Sequence, residues 1–371
     1  MKSLRFLHVV VLTAGLSARA ALVIVPTYDS SVTSLSGPVT NAAAVENAFA
    51  TAVQVIENQF TNDITVNITV YWGATGPFSG GIDLGESQTQ FIGLYQYSDI
   101  TNALYAARVS SADFSSVLSL PPTDPTGSDS WLSPTAEAKA LGLPGIDPND
   151  PTEDGAVGFA ANVPYTFNPT NRAVAGKFDL IGVMEHELSE AMGRTYALDT
   201  IGNAYAPYDL FRFTGPGVRN FTLTDVNAAL VYFSVDDGVT PLKYFYTNYT
   251  MGDIQDWQSS TPPDSFDAFV SPGNQLAITY ADITAMDILG YNGPPVTRPH
   301  LTPSRLTNGT YQITFTNASN QFFSVYSTTN LATVGSNWAL LGAPTQTTPG
   351  HYQFIDAHPT NKFRFYRISS P

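Results

Sequence analysis

The chain opens on alternating signals for strand, helix and strand. ALVIVPTYDS (21–30) begins with the aliphatic run of a buried strand, and NAAAVENAFATAVQVIENQF (41–60) carries apolar residues at helical spacing in an alanine-rich frame. DITVNITVYWG (63–73) then alternates β-branched with polar residues and stops at a glycine, which predicts a second strand. That order places a crossover helix against a mixed sheet.

From 74 to 160 the pattern weakens. YSDITNALYAARVS (97–110) predicts a helix starting at Ser98 or Asp99, whereas PPTDPTGSDSWLSP (121–134) and PGIDPNDPTEDG (144–155) read as loops rich in Pro, Asp and Gly. Asp147, Asp150 and Asp154 in the second loop can serve as calcium ligands. The glycine and closing glutamate of an EF-hand are missing, so a solvated loop is the simpler reading. AVGFAANVPYTFNP (156–169) reads as extended, and Asp179 is placed to cap a helix that Leu180, Ile181, Val183, Met184 and Leu188 anchor to a core and Gly193 ends. Beyond NGPPVTRPH (292–300) the short runs YQITFTN, QFFSVYSTTN, NWALLG, HYQFID and KFRFYRIS alternate with turn residues. They predict a small β-sandwich of the immunoglobulin or fibronectin kind.

The expected fold is therefore α+β, with a mixed twisted sheet and one central helix in a large domain at 21–292, a linker at 293–300 and an all-β sandwich at 301–371. The first twenty residues stand apart. MKSLRFLHVVVLTAGLSARA has Lys2 and Arg5 before a short apolar run and then Ala18-Arg19-Ala20, the form of a signal peptide cleaved near Ala21. Without its three basic residues the remaining chain holds 13 basic and 31 acidic residues, a net charge of −18. Nucleic acid and anionic membrane surfaces are poor partners for that balance, so neither nucleic acid nor a membrane anchor is expected. No later stretch is long and apolar enough for an anchor, so the expected product is exported: extracellular, periplasmic or on the cell surface. An exported chain without cysteine must draw its stability from packing and bound cations, among which calcium suits a carboxylate-rich protein.

Candidate chemistry concentrates in MEHELSEAMGR (184–194). Residues four apart share a helix face, so His186 and Glu190 can point at one ion while Glu187 stands beside them. This is the geometry of H-E-x-x-H zinc helices, with a carboxylate in place of the second imidazole and the adjacent glutamate free to take a proton from a water on the metal. A polar helix face turned to solvent would carry the same letters. Against that, three of the eight glutamates fall within these six residues, and His186 is the only histidine between 21 and 292. The apolar flanks also imply burial, where charges need partners or a metal. For the third ligand, metzincin spacing points to Tyr196, and gluzincin spacing, about two dozen residues on, points to Asp209 in YAPYDLFRF, which is preferred. Asp209 can equally be a turn residue after Pro207.

Several blocks in order, DLIGVMEHELSEAMGR (179–194), YAPYDLFRFTGPGVR (205–219), YFSVDDG (232–238), GDIQDW (252–257), DSFDAF (264–269) and ADITAMDILGY (281–291), resemble secreted bacterial zincin-like metalloproteases whose helix reads HExxExMGR. The resemblance implies a metallopeptidase fold with His186 and Glu190 on zinc and Glu187 as general base. It leaves the third ligand open, and Met286, the candidate for a Met-turn, sits at the helical spacing of a core residue. The C-terminal strands resemble a module appended to many secreted bacterial proteins. The expected function is a zinc endopeptidase acting on protein or peptide substrates, with Tyr205, Tyr208 or Arg212 as oxyanion donor. The alternative is a zincin-shaped binding or adhesion protein that holds calcium or nothing.

Overall fold

The computed structural model describes residues 21–369 except 129, 200, 224–229, 294–298, 318–322, 332–337, 349 and 358–363. The signal segment and most of the linker therefore lie outside the described residues, as do the first residues of the NWALLG and KFRFYRIS runs.

Strand β1 (Val23–Tyr28) leads through α1 (Ser30–Thr33) into α2 (Ala42–Glu57), and β2 (Thr65–Trp72) returns parallel to β1 with Val23 opposite Thr65. Asn41 caps α2 by accepting from the Ala44 N–H, and the helix buries Val45, Ala48, Phe49, Ala52, Val53 and Ile56 along one stripe. In β2 every second residue is buried, from Val66 to Trp72, as alternation requires when one face meets the core. The expected strand–helix–strand unit is present.

β3 (Gly85–Thr89) and β4 (Phe91–Tyr95) precede α3 (Tyr97–Ala107) and α4 (Ser111–Ser119), and β5 (Trp131–Pro134) pairs with β4 before α5 (Thr135–Leu141). α3 starts at Tyr97, just before the expected position, because Asp99 reaches back to the Gln96 N–H at 3.1 Å. The end of the 121–134 loop is strand β5. β6 (Gly155–Phe159) runs parallel to β2 and antiparallel to β3, which sets the order β1-β2-β6-β3 with β3 on the edge. All five β6 residues are buried, so both faces of the sheet are covered at this point.

After β7 (Tyr165–Thr166) and β8 (Phe178–Asp179), helix α6 (Leu180–Ala191) packs on β3, β6 and α2. Gly182 makes this close approach possible on the far side, since a Cβ there would meet Leu276 Cβ at 2.4 Å. Asp179 occupies the N-cap position without capping through its side chain; its carboxylate instead pairs with Arg172 at 2.8 Å and accepts from the Leu276 N–H at 2.9 Å. A second sheet of β9 (Arg212–Gly215), β10 (Val218–Arg219), β11 (Tyr232–Phe233) and β12 (Lys243–Tyr244) has the order β10-β9-β11-β12, and α7 (Tyr280–Asp287) follows. Met286 is buried in the main core, in accord with its helical spacing.

The C-terminal residues form β13 (Thr302–Arg305), β14 (Tyr311–Thr316), β15 (Ser324–Thr328), β16 (Ala339–Gly342), β17 (Thr345–Thr348), β18 (His351–Asp356) and β19 (Phe365–Ser369). These make sheets of order β13-β14-β18-β17 and β16-β15-β19, which share a small core of Phe315, Phe323 and Tyr352 with Leu301 and Ile368 against it. The fold class is α+β, as expected. Among the described residues no helix is long and apolar enough to cross a membrane.

The aspartates of the 144–155 loop are engaged within the protein. Asp147 and Asp150 each accept a backbone N–H two residues on, and the cation at Asp154 is the ammonium of Lys139, at 2.6 Å with both side chains fully buried. Lys139 also donates to the carbonyls of Thr65 and Asp150, so all three of its protons are used inside the protein.

Candidate metal centre

Eleven of the twelve α6 residues are buried, and the one with a partly open side chain is His186. Its Nδ1 lies 2.8 Å from the Ser265 carbonyl. A carbonyl only accepts, so Nδ1 carries the proton and the Nε2 lone pair points the other way. Nε2 lies 3.4 Å from Glu190 Oε1 and 3.4 Å from Asp256 Oδ1. Ligands about 2.0–2.1 Å from a tetrahedral ion are about 3.3–3.4 Å apart, so both separations match edges of a zinc coordination tetrahedron. His186, Glu190 and Asp256 form the one group of three or more His, Asp or Glu side chains, among the described residues, with ligand atoms all within 4.8 Å of one another.

The two carboxylates are held from behind. Glu190 accepts from Ser87 Oγ at 2.8 Å, Gln255 Nε2 at 2.8 Å and Arg194 at 3.3 Å, and Asp256 accepts from Arg194 at 2.6 Å. His186 is held through Ser265, whose hydroxyl donates to Glu185 at 2.7 Å; Glu185 in turn faces Arg172 at 3.4 Å. Such outer partners fix ring orientation and tautomer, as in established metal sites.

Among protein groups alone the acidic residues outnumber the basic ones. Burial disfavours the imidazolium, but Asp256 and Glu190 outweigh it and raise His186 well above the ordinary histidine pKa. Burial likewise opposes ionisation of Glu190, yet His186 and Arg194 hold it far below the carboxylate range. Glu187 is raised well above that range by burial and then by the Glu190 charge, and Asp253 is raised to about 7 by burial, Glu190 and Asp256. Five carboxylates, Glu86, Glu187, Glu190, Asp253 and Asp256, influence one another while only His186 and Arg194 oppose them. An additional cation suits that excess.

Glu187 lines a cleft of about 650 Å³ together with His186, Asp256, Val183, Phe178 and Leu276. It is 5% exposed, and neither carboxylate oxygen has a hydrogen-bond partner among the described residues. Gly85 on the edge strand leaves room for it, because a Cβ at that position would fall 2.4 Å from Glu187 Oε1.

The structure thus brings together His186, Glu187 and Glu190, and it does not bring Asp209 to them. Asp209 Oδ2 accepts the backbone N–H groups of Ala197, Leu198 and Ala206 at 3.1, 2.9 and 2.9 Å, so this buried carboxylate organises the loop after α6. The third carboxylate is Asp256, in the GDIQDW block. Its distance along the chain from α6 hides it from any spacing rule, and the block itself was the only sequence signal. Tyr196 lines an adjoining cavity of about 370 Å³ with Glu190 and Asp253. None of the expected oxyanion donors lines the cleft: Tyr205 packs on Trp131 and Phe221, Tyr208 is fully buried, and Arg212 donates to the Ile254 carbonyl.

No family model, curated protein or solved structure matches the chain.

Proposed function

We propose that the protein is an exported, zincin-like zinc peptidase whose metal is held by His186, Glu190 and Asp256. The observation that carries this reading is the position of His186 Nε2, 3.4 Å from an oxygen of each carboxylate, on a helix that also presents Glu187 to a cleft. A zinc ion bound there would supply Lewis-acid polarisation of a peptide carbonyl and acidify a water. The chain's own part is then distinct. Ser265 holds the tautomer of His186, while Arg194 and Gln255 orient the carboxylates. Glu187, lacking an internal partner, accepts the proton of the attacking water and returns it to the leaving amine. The cleft walls of Val183, Phe178 and Leu276 exclude bulk solvent beside it.

Arg194 favours a second reading. Its guanidinium reaches the same Asp256 and Glu190 oxygens that face His186, so an ion network of imidazolium, guanidinium and two carboxylates closes without metal. A non-hydrolytic binding protein would use the helix in that way. The purified protein separates the two: the peptidase contains one zinc per chain by elemental analysis and hydrolyses casein, and it loses that activity with a chelator and with Glu187→Ala. Absence of zinc, with casein turnover indifferent to both treatments, leaves the binding protein.

A further inference from the structure

The cleft carries a charge pattern that zinc binding does not use. Asp83, Glu86 and Asp253 line it without a side-chain hydrogen bond or ion pair among the described residues, and no Lys or Arg lines either it or the adjoining cavity. Two of the three, Glu86 and Asp253, line both cavities and so stand where they meet. Their positions are tied to the centre by short stretches of chain. Glu86 lies on β3 between Gly85, which makes room for Glu187, and Ser87, which donates to Glu190. Asp253 lies on the loop that delivers Asp256, whose backbone N–H bonds to the Asp253 carbonyl at 3.4 Å.

An acidic rim alone would be an ordinary solvated surface. Glu187 makes the difference, because it is an almost fully buried carboxylate without a hydrogen-bond partner that opens into the same cleft. A ligand is therefore expected in the space these groups share, and its charge is set by the walls. Like charges fixed at a concave surface repel one another until a cation enters, and a concave site focuses their field.

We infer that the site selects peptides bearing lysine or arginine beside the reacting bond, with Glu86 and Asp253 as the specificity-determining pair. The inference rests on the peptide-cleft reading above. An apolar neighbour of the cationic residue fits against Phe178, Val183 and Leu276, which line the same cleft. An acidic peptide is rejected by the same pair.

The test measures binding apart from hydrolysis. Zinc-loaded full-length protein carrying Glu187→Gln is titrated, in 150 mM salt to screen distant charges, with fluorescein-labelled decapeptides of one apolar sequence that differ only in a central Lys, Gln or Glu. Fluorescence anisotropy is expected to show the Lys peptide binding about tenfold more tightly than the Gln peptide, and the Glu peptide more weakly still. Adding Glu86→Gln and Asp253→Asn should bring the Lys and Gln affinities within about twofold, with each single substitution giving part of the loss. Equal affinity for Lys and Gln in the parent overturns the inference, and so does a preference that survives the double substitution, because the net charge of the whole chain would then be its source. Failure of the wild type to cut casein removes the peptidase reading and leaves the binding preference to be judged by itself.

Discussion

Gly85→Ala tests the placement of the general base without touching a metal ligand. Gly85 has ordinary backbone geometry for a strand, so the substitution adds only a methyl group. That methyl would fall 2.4 Å from Glu187 Oε1, 2.9 Å from Glu187 Cδ and 2.7 Å from Val183 Cγ1. Comfortable carbon–oxygen separation is roughly 3.3 Å, so Glu187 must retreat by roughly 0.9 Å or twist off its rotamer, at about 0.5–1.5 kcal/mol. Both line the cleft, but the carboxylate gives way first, because it is the end of a longer, unpartnered side chain while Val183 is also packed in the core. A misplacement of about 1 Å at a reacting group costs about a hundredfold in rate. Overpacking adds a destabilisation of about 1–3 kcal/mol. Turnover of a fluorogenic peptide should therefore fall about a hundredfold, with zinc content unchanged and only a modest drop in melting temperature. Gly215→Ala, where the nearest atom lies 4.0 Å away, is the control and should retain full rate. Full activity in Gly85→Ala would refute the assignment of Glu187, and so would a loss that only parallels lost zinc or lost fold.

Three further substitutions separate the roles of the buried charges. Asp256→Asn is expected to lower bound zinc below 0.1 per chain, read by elemental analysis after dialysis, on the order of the penalty for losing a charged ligand; Asp209→Ala should keep its zinc and lose about 2–4 kcal/mol in urea unfolding, because three backbone donors lose their acceptor. Lys139→Met leaves the fully buried Asp154 carboxylate without its cation and should cost about 3–5 kcal/mol, a loss that millimolar calcium does not restore. Asp287 is pushed up to about 7 by burial and by the neighbouring Asp113 charge, so the native state binds its proton more tightly than the unfolded chain. Stability from this group is complete below about pH 4 and is lost as pH rises to about 7. Asp287→Asn should therefore stabilise the protein by about 2–4 kcal/mol at pH 8 and by little at pH 4, measured by denaturant unfolding at both. A uniform effect across that range would contradict the assignment.

What the sequence makes legible follows from how local each cause is. The strand–helix–strand unit is readable because Val66, Ile68 and Val70 alternate on β2 and the buried stripe of α2 repeats at helical spacing, so each element states its own buried face. His186, Glu187 and Glu190 are readable for the same reason, since one helix sets their relation. Asp256 has no such local rule. It reaches His186 only because the chain after β12 folds back beside α6, where Arg194 and the carbonyls around it fix the loop. Asp209 misled because a carboxylate buried beside α6 has two uses, holding an ion or gathering backbone N–H groups, and spacing is blind to the difference. The difference is what surrounds it: three backbone N–H donors converge on Asp209 Oδ2, whereas Asp256 Oδ1 accepts from Arg194 and lies 3.4 Å from His186 Nε2, beside Glu190. The loop aspartates near 150 show the same ambiguity, for Asp147 and Asp150 gather backbone N–H groups and Asp154 pairs with Lys139 from α5. In both cases the acidic residue was visible and its partners were not, because the partners are a matter of tertiary packing. A reading of acidic sites in a chain of this kind therefore gains most from asking which unpartnered carboxylates open to a cleft, as Glu187 does, since Glu137 and Asp209 Oδ1 are also without a partner among the described residues but lie outside the cleft lining.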